Sequence, residues 1–440
     1  YRISEEPFFE PLRKAVDNLK IRLSYGSLGN QQIGYYDFIQ TITTKGSMSD
    51  YSFDGTVLGQ HATVSDPVSG DQTWEKVVSK NLGLDLNMFN NRLSLTTDFY
   101  IRDTKGILGK GKSLPSIYGA SEPQMNANNL RTKGYELVLG WRDSFKLAGS
   151  TFSYGITGTF SDYTAEYTKC DNPTGLIGDP YVGKKYGEIW GYKVDGLFRN
   201  DKEAAEYASR IDLSTVASGY YTATGAYGKG VRGGDIKYLD LNGDNIVNGG
   251  KGTLDDPGDR RVIGNSSPRY QYGASLNFSW YGFDVSVFMQ GIGRLDWYPG
   301  ADNLRFWGPY CRPYATFVPK NFMSQVWSEE NPDAYFPRAR AYTSLNSNSG
   351  TAYYTNDRYL QNLAYCRLKN LTIGYTIPRR LTSKVGIKEC RIYFSGENLA
   401  TWSALKSDFL DPEQAAADSD KKANVYPWCK TYSIGLNLTF

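Results

Sequence analysis

Apolar and polar residues alternate along the chain in short segments. Between residues 19 and 26, Leu, Ile, Leu and Tyr alternate with Lys, Arg, Ser and Gly. Because successive side chains of a β-strand point to opposite faces, each such segment predicts a strand with one apolar and one polar face. Ten segments carry this pattern: residues 19–26, 74–88, 92–103, 131–142, 150–162, 269–280, 282–291, 363–377, 389–399 and 430–440.

The links between the ten predicted strands are short and long in strict alternation. The short links are the Asn90-Asn91 turn and residues 143–149, 281–282 and 378–388. The long links are residues 27–73, 104–130, 163–268, 292–362 and 400–429. Outer-membrane β-barrels have short periplasmic turns and long extracellular loops, whereas a soluble sandwich has no reason to sort its links. We therefore predict an all-β fold, a transmembrane antiparallel β-barrel in which 163–268 and 292–362 are long extracellular loop regions.

Composition is compatible with a barrel and excludes a helical membrane protein. Aromatic residues form 15% of the chain, with 35 Tyr among them, and such residues suit half-buried pleated surfaces. Mean hydropathy is −0.49, and no apolar run approaches the ~18–20 residues that a spanning helix needs. A barrel tolerates this polarity because half of every strand faces its lumen. The net charge of +3 is too small to indicate nucleic acid as a partner.

The predicted strand 363–377 breaks the alternation at one point. Its apolar stripe begins at Leu371 and shares parity with Arg367 and Lys369. Two explanations stay open at this stage. Either a β-bulge near Asn370 shifts the register, or the basic side chains lie above the bilayer.

Tyr1 begins the chain in a segment that reads like the tail of one strand running into a turn. We therefore expect residue 1 to lie within a longer protein, and residues 1–440 to be the C-terminal part of one barrel. Ten strands in an open sheet would leave two unpaired edges, which lipid does not tolerate. Further N-terminal strands are expected to complete the wall.

Residues suited to catalysis are sparse. The chain has a single histidine, His61, and no nucleophile-elbow motif, so we predict no enzymatic activity. Five widely spaced cysteines without a C-x-x-C pair argue against a structural zinc site and a dense disulfide framework, and leave room for one disulfide.

Eight motifs, in order along nearly the whole chain, resemble a known family. They are residues 2–8 (RISEEPF), 19–26 (LKIRLSYG), 81–85 (NLGLD), 133–136 (KGYE), 191–198 (GYKVDGLF), 259–265 (DRRVIGN), 367–371 (RLKNL) and 395–399 (SGENL). With these motifs the chain resembles the C-terminal part of the SusC/RagA family of TonB-dependent transporters from Bacteroidetes.

The resemblance implies a large outer-membrane barrel plugged by an N-terminal domain, which is not in this chain. It implies a TonB box, a SusD-like lipoprotein partner, and import of oligosaccharides or peptides with TonB energy. It also implies that the last strand, with Tyr432 and Phe440, carries the signal for the barrel-assembly machinery. Two alternatives are a passive or structural barrel, such as a porin or adhesin, and a soluble carbohydrate-binding β-protein.

Oxygen-bearing side chains at every second position suggest a calcium-type loop. The predicted ligands are Asp240, Asn242, Asp244, the Ile246 carbonyl and Asn248, with further donors among Asp255, Asp256 and Asp259. The loop departs from an EF-hand because position six is Asn245 and position twelve is Lys251. The alternative is a loop of Asx turns held by side-chain-to-backbone hydrogen bonds.

The long links are rich in aromatic residues, some of which are expected to line a ligand chamber. The candidates are Trp297, Tyr298, Phe306, Trp307, Tyr310 and Tyr314. Aromatic faces suit stacking on sugars or gripping peptide backbone. For any one ring, the favoured alternative is packing of the loops onto each other, onto a plug or onto a lipoprotein.

Overall fold

Ten strands form one antiparallel sheet in which each strand pairs with its neighbours along the chain. The computed structural model describes residues 1–30, 39–45, 61–70, 72–110, 115–222, 230–301, 303–311, 318–340, 352–407, 409–416 and 428–440. The strands are β1 (Val16–Asn30), β2 (Glu75–Met88), β3 (Leu93–Lys110), β4 (Gln124–Leu147), β5 (Ser150–Lys169), β6 (Arg269–Trp280), β7 (Phe283–Arg294), β8 (Tyr365–Thr376), β9 (Glu389–Ser403) and β10 (Thr431–Thr439). The all-β fold and the order of the ten predicted strands are confirmed. Strands β3 to β5 run several residues farther toward the long loops than predicted.

Tight turns close the end of the sheet that carries the short links. Residues 148–149 join β4 to β5, and residues 281–282 join β6 to β7, all with φ between 48° and 85°. Positive φ at both central residues is typical of two-residue hairpin turns, because it matches the twist of the flanking strands. Asn90 and Asn91 also have positive φ, at 59° and 60°, as their side chains predict.

A β-bulge interrupts β8 at Lys369. Leu368 and Asn370 pair with consecutive residues of β7, which leaves Lys369 between them without a partner in the register. The register against β9 shifts at the same place. Since one extra residue exchanges the two faces of a strand, Arg367 lies on the polar face and Leu368 on the apolar face. Of the two explanations left open by the sequence, the structure has the bulge.

Shorter elements lie outside the main sheet. Four two-stranded pairs are Ile42–Lys45 with His61–Val64, Glu188–Tyr192 with Arg260–Asn265, Val194–Leu197 with Ile236–Tyr238, and Asp296–Trp297 with Gln361–Asn362. The α-helices are Asp201–Ala208, Ser218–Thr222, Leu304–Trp307 and Arg379–Thr382, and the 3-10 helices are Ile3–Glu5, Pro7–Leu12, Ser116–Tyr118, Gly308–Tyr310, Met323–Gln325 and Ser383–Val385. Within the described ranges, no helix is both long enough and apolar enough to cross a membrane. Cys170, Cys366 and Cys390 are free thiols.

The two longest links fold together into one body, which we call the loop domain (the described residues of 170–268 and 295–362). Its core takes large side chains from both links, each at most 5% exposed: Phe198, Leu213, Tyr238, Val247, Phe306, Trp307, Phe336 and Tyr359. The backbone of Tyr192 joins the links by donating to the carbonyl of Thr355 at 2.9 Å. The loop domain therefore has a core of its own at the long-loop end of the sheet.

The sheet has two edges. Within the described residues, β1 and β10 are its outer strands and do not pair with each other. Tyr1 exchanges two backbone hydrogen bonds with Ile21, at 2.8 and 2.9 Å, on the edge of β1 that faces away from β2. Unpaired edges are unfavourable in lipid, so closure of the barrel requires strands that pair with both edges.

Candidate ligand-binding site

The face of the sheet opposite the apolar stripes carries paired charges. Arg22 of β1 contacts Asp85 at 3.0 Å and Asp98 at 2.8 Å. Asn81 donates a further hydrogen bond to Asp98 at 2.9 Å. Because charged groups are unfavourable against lipid and alternate with the apolar stripes, this is the inner face of the barrel wall.

A segment that follows β9 folds back onto this inner face. The guanidinium of Arg367 contacts Asp411 and Glu413, each at 2.7 Å, and Lys369 contacts Glu413 at the same distance. Thr401 accepts a hydrogen bond from Nε of Arg367 at 2.9 Å. The Arg367 side chain is only 2% exposed, and a charge so deeply buried is stable only when such partners satisfy its donors. These four charged residues, which we call the clamp, fix the segment over the inner face.

A cavity of about 650 Å³ lies between the clamp, the long-loop ends of β8 and β9, and the loop domain. Arg305 and Phe409 line it together with Leu405 and Leu410. Arg305 is half-buried. The Phe409 side chain is 38% exposed. A guanidinium beside an accessible ring can bind a polar or anionic group while the ring stacks on an apolar face of the same ligand.

Three of the aromatic residues predicted to contact ligand lie in the core of the loop domain. Phe306, Trp307 and Tyr310 are 3%, 0% and 2% exposed. The ring of Trp307 packs edge-on against those of Phe306 and Tyr359, with centroids 4.8 and 5.0 Å apart. Such burial leaves almost no ring surface for a ligand, so the structure favours the packing alternative at these positions.

The other three predicted aromatic residues have different surroundings. Trp297 is 8% exposed and packs against Leu363 in a smaller cluster. Tyr298 packs against the loop-domain core, and its hydroxyl donates to the carbonyl of Tyr354 at 3.1 Å. Tyr314 lies outside the described residues. Neither Trp297 nor Tyr298 lines the cavity above the clamp.

A buried ion pair joins the two halves of the loop domain. Arg340 donates to Asp235 at 2.6 Å, and the two side chains are 5% and 1% exposed. Burial raises the pKa of Asp235 to about 7, against the opposing effect of the Arg340 charge. Burial also raises the pKa of Tyr238 and of Tyr298 well above the ordinary value. Asp235, Arg340 and Tyr238 are enclosed by protein, and their contacts hold the domain together.

The predicted calcium-type loop is a series of Asx turns. Asp240 accepts two backbone N–H groups, at 2.7 and 2.9 Å. Asn242, Asp244 and Asn248 each accept the N–H of the residue two positions on, at 3.1, 2.8 and 2.6 Å, and Ile246 is the donor to Asp244. These contacts are those of the hydrogen-bonded alternative.

Asp259 binds backbone N–H groups at both ends of the same loop. Its carboxylate is fully buried and accepts N–H groups from Leu241 at 2.7 Å and Asn248 at 2.9 Å. Across the ranges that the structure describes, no group of three or more His, Cys, Asp or Glu side chains is arranged to hold a metal ion. Calcium binding by this loop stays a prediction.

The last strand presents its apolar side chains outward. Tyr432 is 64% exposed, and its ring centroid lies 6.3 Å from that of Phe394 on β9. Phe440 follows the strand and is 72% exposed, while its carbonyl accepts a hydrogen bond from Lys388 at 2.7 Å. Their role as an assembly signal stays a prediction.

The clamp is not among the sites predicted from the sequence. The signal that could identify it is a matched spacing: Arg367 and Lys369 are two residues apart, as are Asp411 and Glu413. Side chains two residues apart on a regular strand lie on the same face. The bulge at Lys369 breaks this rule, so the spacing alone does not show which face Arg367 and Lys369 occupy.

The whole chain is similar to known TonB-dependent receptors. No family model matches the chain. The TonB-dependent receptor P26 of Formosa agariphila is 27% identical over 461 aligned positions, covering 100% of this chain and 41% of that receptor. The TonB-dependent receptor SusC of Bacteroides thetaiotaomicron is 22% identical over 452 positions, covering 100% of this chain and 39% of that receptor. The chain thus spans about two fifths of the length of these relatives.

A solved structure shares the fold. The RagAB peptide transporter matches with a TM-score of 0.70 at 21% identity, covering 100% of this chain and 42% of that chain. The curated relatives are receptors and not enzymes. From end to end the chain is therefore similar to part of the SusC-type TonB-dependent receptors, and its ten-stranded antiparallel sheet shares the barrel fold of the RagAB transporter.

Proposed function

We propose that the receptor containing this chain imports oligosaccharides or peptides across the outer membrane, with a SusD-like surface lipoprotein and with energy from TonB. The observation that carries this proposal is the end-to-end similarity to TonB-dependent receptors, SusC among them. In this setting the short turns face the periplasm and the loop domain faces the outside of the cell.

The cavity above the clamp supports these two ligand classes. Arg305 offers fixed N–H donors that suit a peptide carboxylate or sugar hydroxyl groups, and Phe409 offers a ring that suits the apolar face of a sugar or a peptide side chain. RagAB, which shares the fold, is a peptide transporter. That likeness supports peptides as one class, and the exposed ring of Phe409 supports oligosaccharides as the other.

Uptake measured with and without TonB tests the proposal. Cells that carry the intact receptor are supplied with labelled oligosaccharides and labelled peptides of graded length. Import of one class that stops when TonB is deleted is the expected result. Import that continues without TonB would identify a passive barrel, and purification of the receptor without detergent would identify a soluble binding protein.

Variants of the cavity test its role as the ligand site. Replacing both Arg305 and Phe409 by Ala is expected to weaken binding of the imported ligand by about tenfold or more, which corresponds to ~1.4 kcal/mol or more. Arg210→Ala is the matched control, since Arg210 is exposed on the loop domain away from the cavity. Equal affinities of the double variant, the control and the wild type would place the ligand elsewhere.

Co-purification tests the lipoprotein partner. The receptor, solubilised in mild detergent with an affinity tag, is expected to retain a surface lipoprotein at a fixed ratio. Recovery of the receptor alone from cells that express a SusD-like lipoprotein would contradict this part of the proposal. The TonB experiment would then test uptake separately.

A further inference from the structure

Aromatic rings on the outer face of the sheet mark the level of a bilayer interface on the long-loop side. Phe99, Tyr135, Phe160 and Tyr270 form a continuous row across four strands, with ring centroids 6.4, 6.0 and 6.4 Å apart. Outer-membrane barrels carry such girdles at both interfaces, because these amphipathic rings are stable at the level of the lipid head groups.

A second row lies near the short turns and gives the distance between the two interfaces. It includes Phe145, Phe152 and Phe278, with centroids 5.3 and 6.4 Å apart. Tyr135 and Phe145 lie on the same strand, ten residues apart. At ~3.3 Å per residue and a tilt of about 40°, this separation projects to ~25 Å. The two rows therefore bracket the apolar core of a membrane.

A groove of about 840 Å³ opens on the outer face at the upper row. Lys80, Ile101 and Lys133 lie side by side in register on β2, β3 and β4. Leu82 and Phe99 line the groove below them. Two strand spacings separate the lysines, so their backbones are ~10 Å apart. Two cationic side chains thus stand above an apolar surface at the head-group level.

The two lysines are the cationic side chains that line the groove without a close ion pair of their own among the described residues, whereas the arginines nearby are paired. Arg269, at the far end of the groove, contacts Asp162 at 2.6 Å. Above the groove, Arg131 contacts Asp103 at 2.7 Å. Lys80 and Lys133 are both exposed and line the groove, and Lys80 also interacts with the charge of Asp103, which is already paired with Arg131. The groove therefore has a net positive charge where lipid phosphates lie.

We propose that this groove binds a phosphate-bearing lipid of the outer leaflet, with its phosphate between Lys80 and Lys133 and its acyl chains along Leu82 and Phe99. Basic side chains at a membrane interface attract anionic head groups. The lysine stems lie along apolar surface while their ammonium groups reach the head-group layer. The proposal rests on the outer-membrane location proposed above and is independent of import.

Native mass spectrometry of the intact receptor in detergent tests the proposal, with monophosphorylated lipid A as the probe and its dephosphorylated form as the reference. The wild type is expected to retain the phosphorylated lipid. The double variant Lys80→Gln with Lys133→Gln is expected to bind it roughly 10- to 30-fold more weakly, as two interfacial lysines predict.

Lys76→Gln with Lys105→Gln is the matched control. These two lysines lie opposite each other on the same face of the sheet, on β2 and β3. Each is four residues farther from the membrane than Lys80 and Ile101, and neither lines the groove. The control is expected to bind like the wild type, and unchanged heat-modifiable migration in gels shows that both variants fold. Equal binding by the double variant, or equal retention of dephosphorylated lipid, would overturn the proposal. A wild-type receptor that binds the phosphorylated lipid but imports neither oligosaccharides nor peptides would count against the proposed function alone.

Discussion

The carboxylate of Asp259 accepts backbone N–H groups from both ends of the loop formed by residues 240–248. It is fully buried, whereas Asp244 within the loop is exposed. A buried donor left without an acceptor costs about 1–3 kcal/mol, and hydrogen bonds to charged groups are the stronger ones. One buried residue outside the loop therefore contributes more to its order than the exposed residues within it.

Replacing Asp259 by Ala is expected to destabilise the loop by roughly 2–4 kcal/mol, because several N–H groups lose their acceptor together. Hydrogen exchange of the amides of residues 241–248 is the measurement, and their exchange is expected to accelerate by one to three orders of magnitude. Asp244→Ala is the control, with a change of less than tenfold. Equal acceleration in both variants would contradict the assigned role of Asp259.

Calcium binding belongs to the same residues and stays a prediction from their spacing. Each Asp240 oxygen accepts one N–H group, and a carboxylate has about four lone-pair sites in all, so each oxygen keeps a site for a cation. If the loop binds calcium, its amides are expected to exchange more slowly in calcium than in chelator. Asp240→Asn is expected to remove that difference. Identical exchange in calcium and chelator would leave hydrogen bonds as the loop's sole support.

At the scale of elements, the clamp ties β8 to a segment that is distant in sequence. Arg367 is 2% exposed and Asp411 is 7% exposed. Breaking a buried ion pair by removing one partner typically costs about 3–5 kcal/mol, since the other charge is left buried alone. The position of residues 404–416 over the inner face therefore depends on Arg367.

Arg367→Met is expected to release this segment from the barrel wall. Limited proteolysis of the folded receptor measures the release, with new cleavage expected between residues 404 and 416. Lys369→Met is the matched control, because Glu413 keeps its contact with Arg367. A segment that stays resistant in Arg367→Met would show that packing of Leu405 and Leu410 suffices to hold it.

The sheet is predictable from the sequence because a period of two residues determines which side chains share a face. All ten strands follow from it, as does the turn at Asn90-Asn91. The bulge at Lys369 is predictable only as one of two alternatives, since a single extra residue and a raised pair of basic side chains give the same pattern. The hydrogen-bonded pairing of β8 with β7 decides between the two alternatives, and the sequence alone does not give that pairing.

The loop domain and the cavity are less predictable, because their contacts join segments without periodicity. Phe306 and Trp307 are buried by rings such as Phe336 and Tyr359, which come from later parts of the link. Nothing in the local sequence distinguishes a ring buried this way from one that faces a ligand. Phe409, which lines the cavity, lies in the link 400–429 and is not among the aromatic residues predicted to contact a ligand.

At the scale of the whole molecule, the sheet separates an outer apolar face from an inner polar face, and neighbouring residues test that assignment. Val287 and Ser286 are adjacent on β7, so they lie on opposite faces. Val287 pairs with Leu276, between the two aromatic rows, which places it within the apolar core of the bilayer. A charged side chain there should be far less tolerated than one on the lumen side.

Val287→Arg is expected to destabilise the folded receptor by about 2–4 kcal/mol, the cost of arginine at the midplane of a barrel's lipid face. Ser286→Arg, one residue away, is expected to change stability much less because it faces water. Urea unfolding in lipid vesicles, followed by heat-modifiable migration, measures both. A larger loss in Ser286→Arg than in Val287→Arg would reverse the assignment of the two faces.

The shared core of the loop domain has a consequence for the timing of biogenesis. Phe198 and Tyr238 precede the β6–β7 hairpin in the chain, while Trp307, Phe336 and Tyr359 follow it. The first group cannot be covered until the second has been secreted and the hairpin between them has reached its place in the wall. Partly assembled chains with exposed apolar surface aggregate readily. A delay between the arrival of the two links is therefore expected to expose the apolar surface of the first link and to favour aggregation.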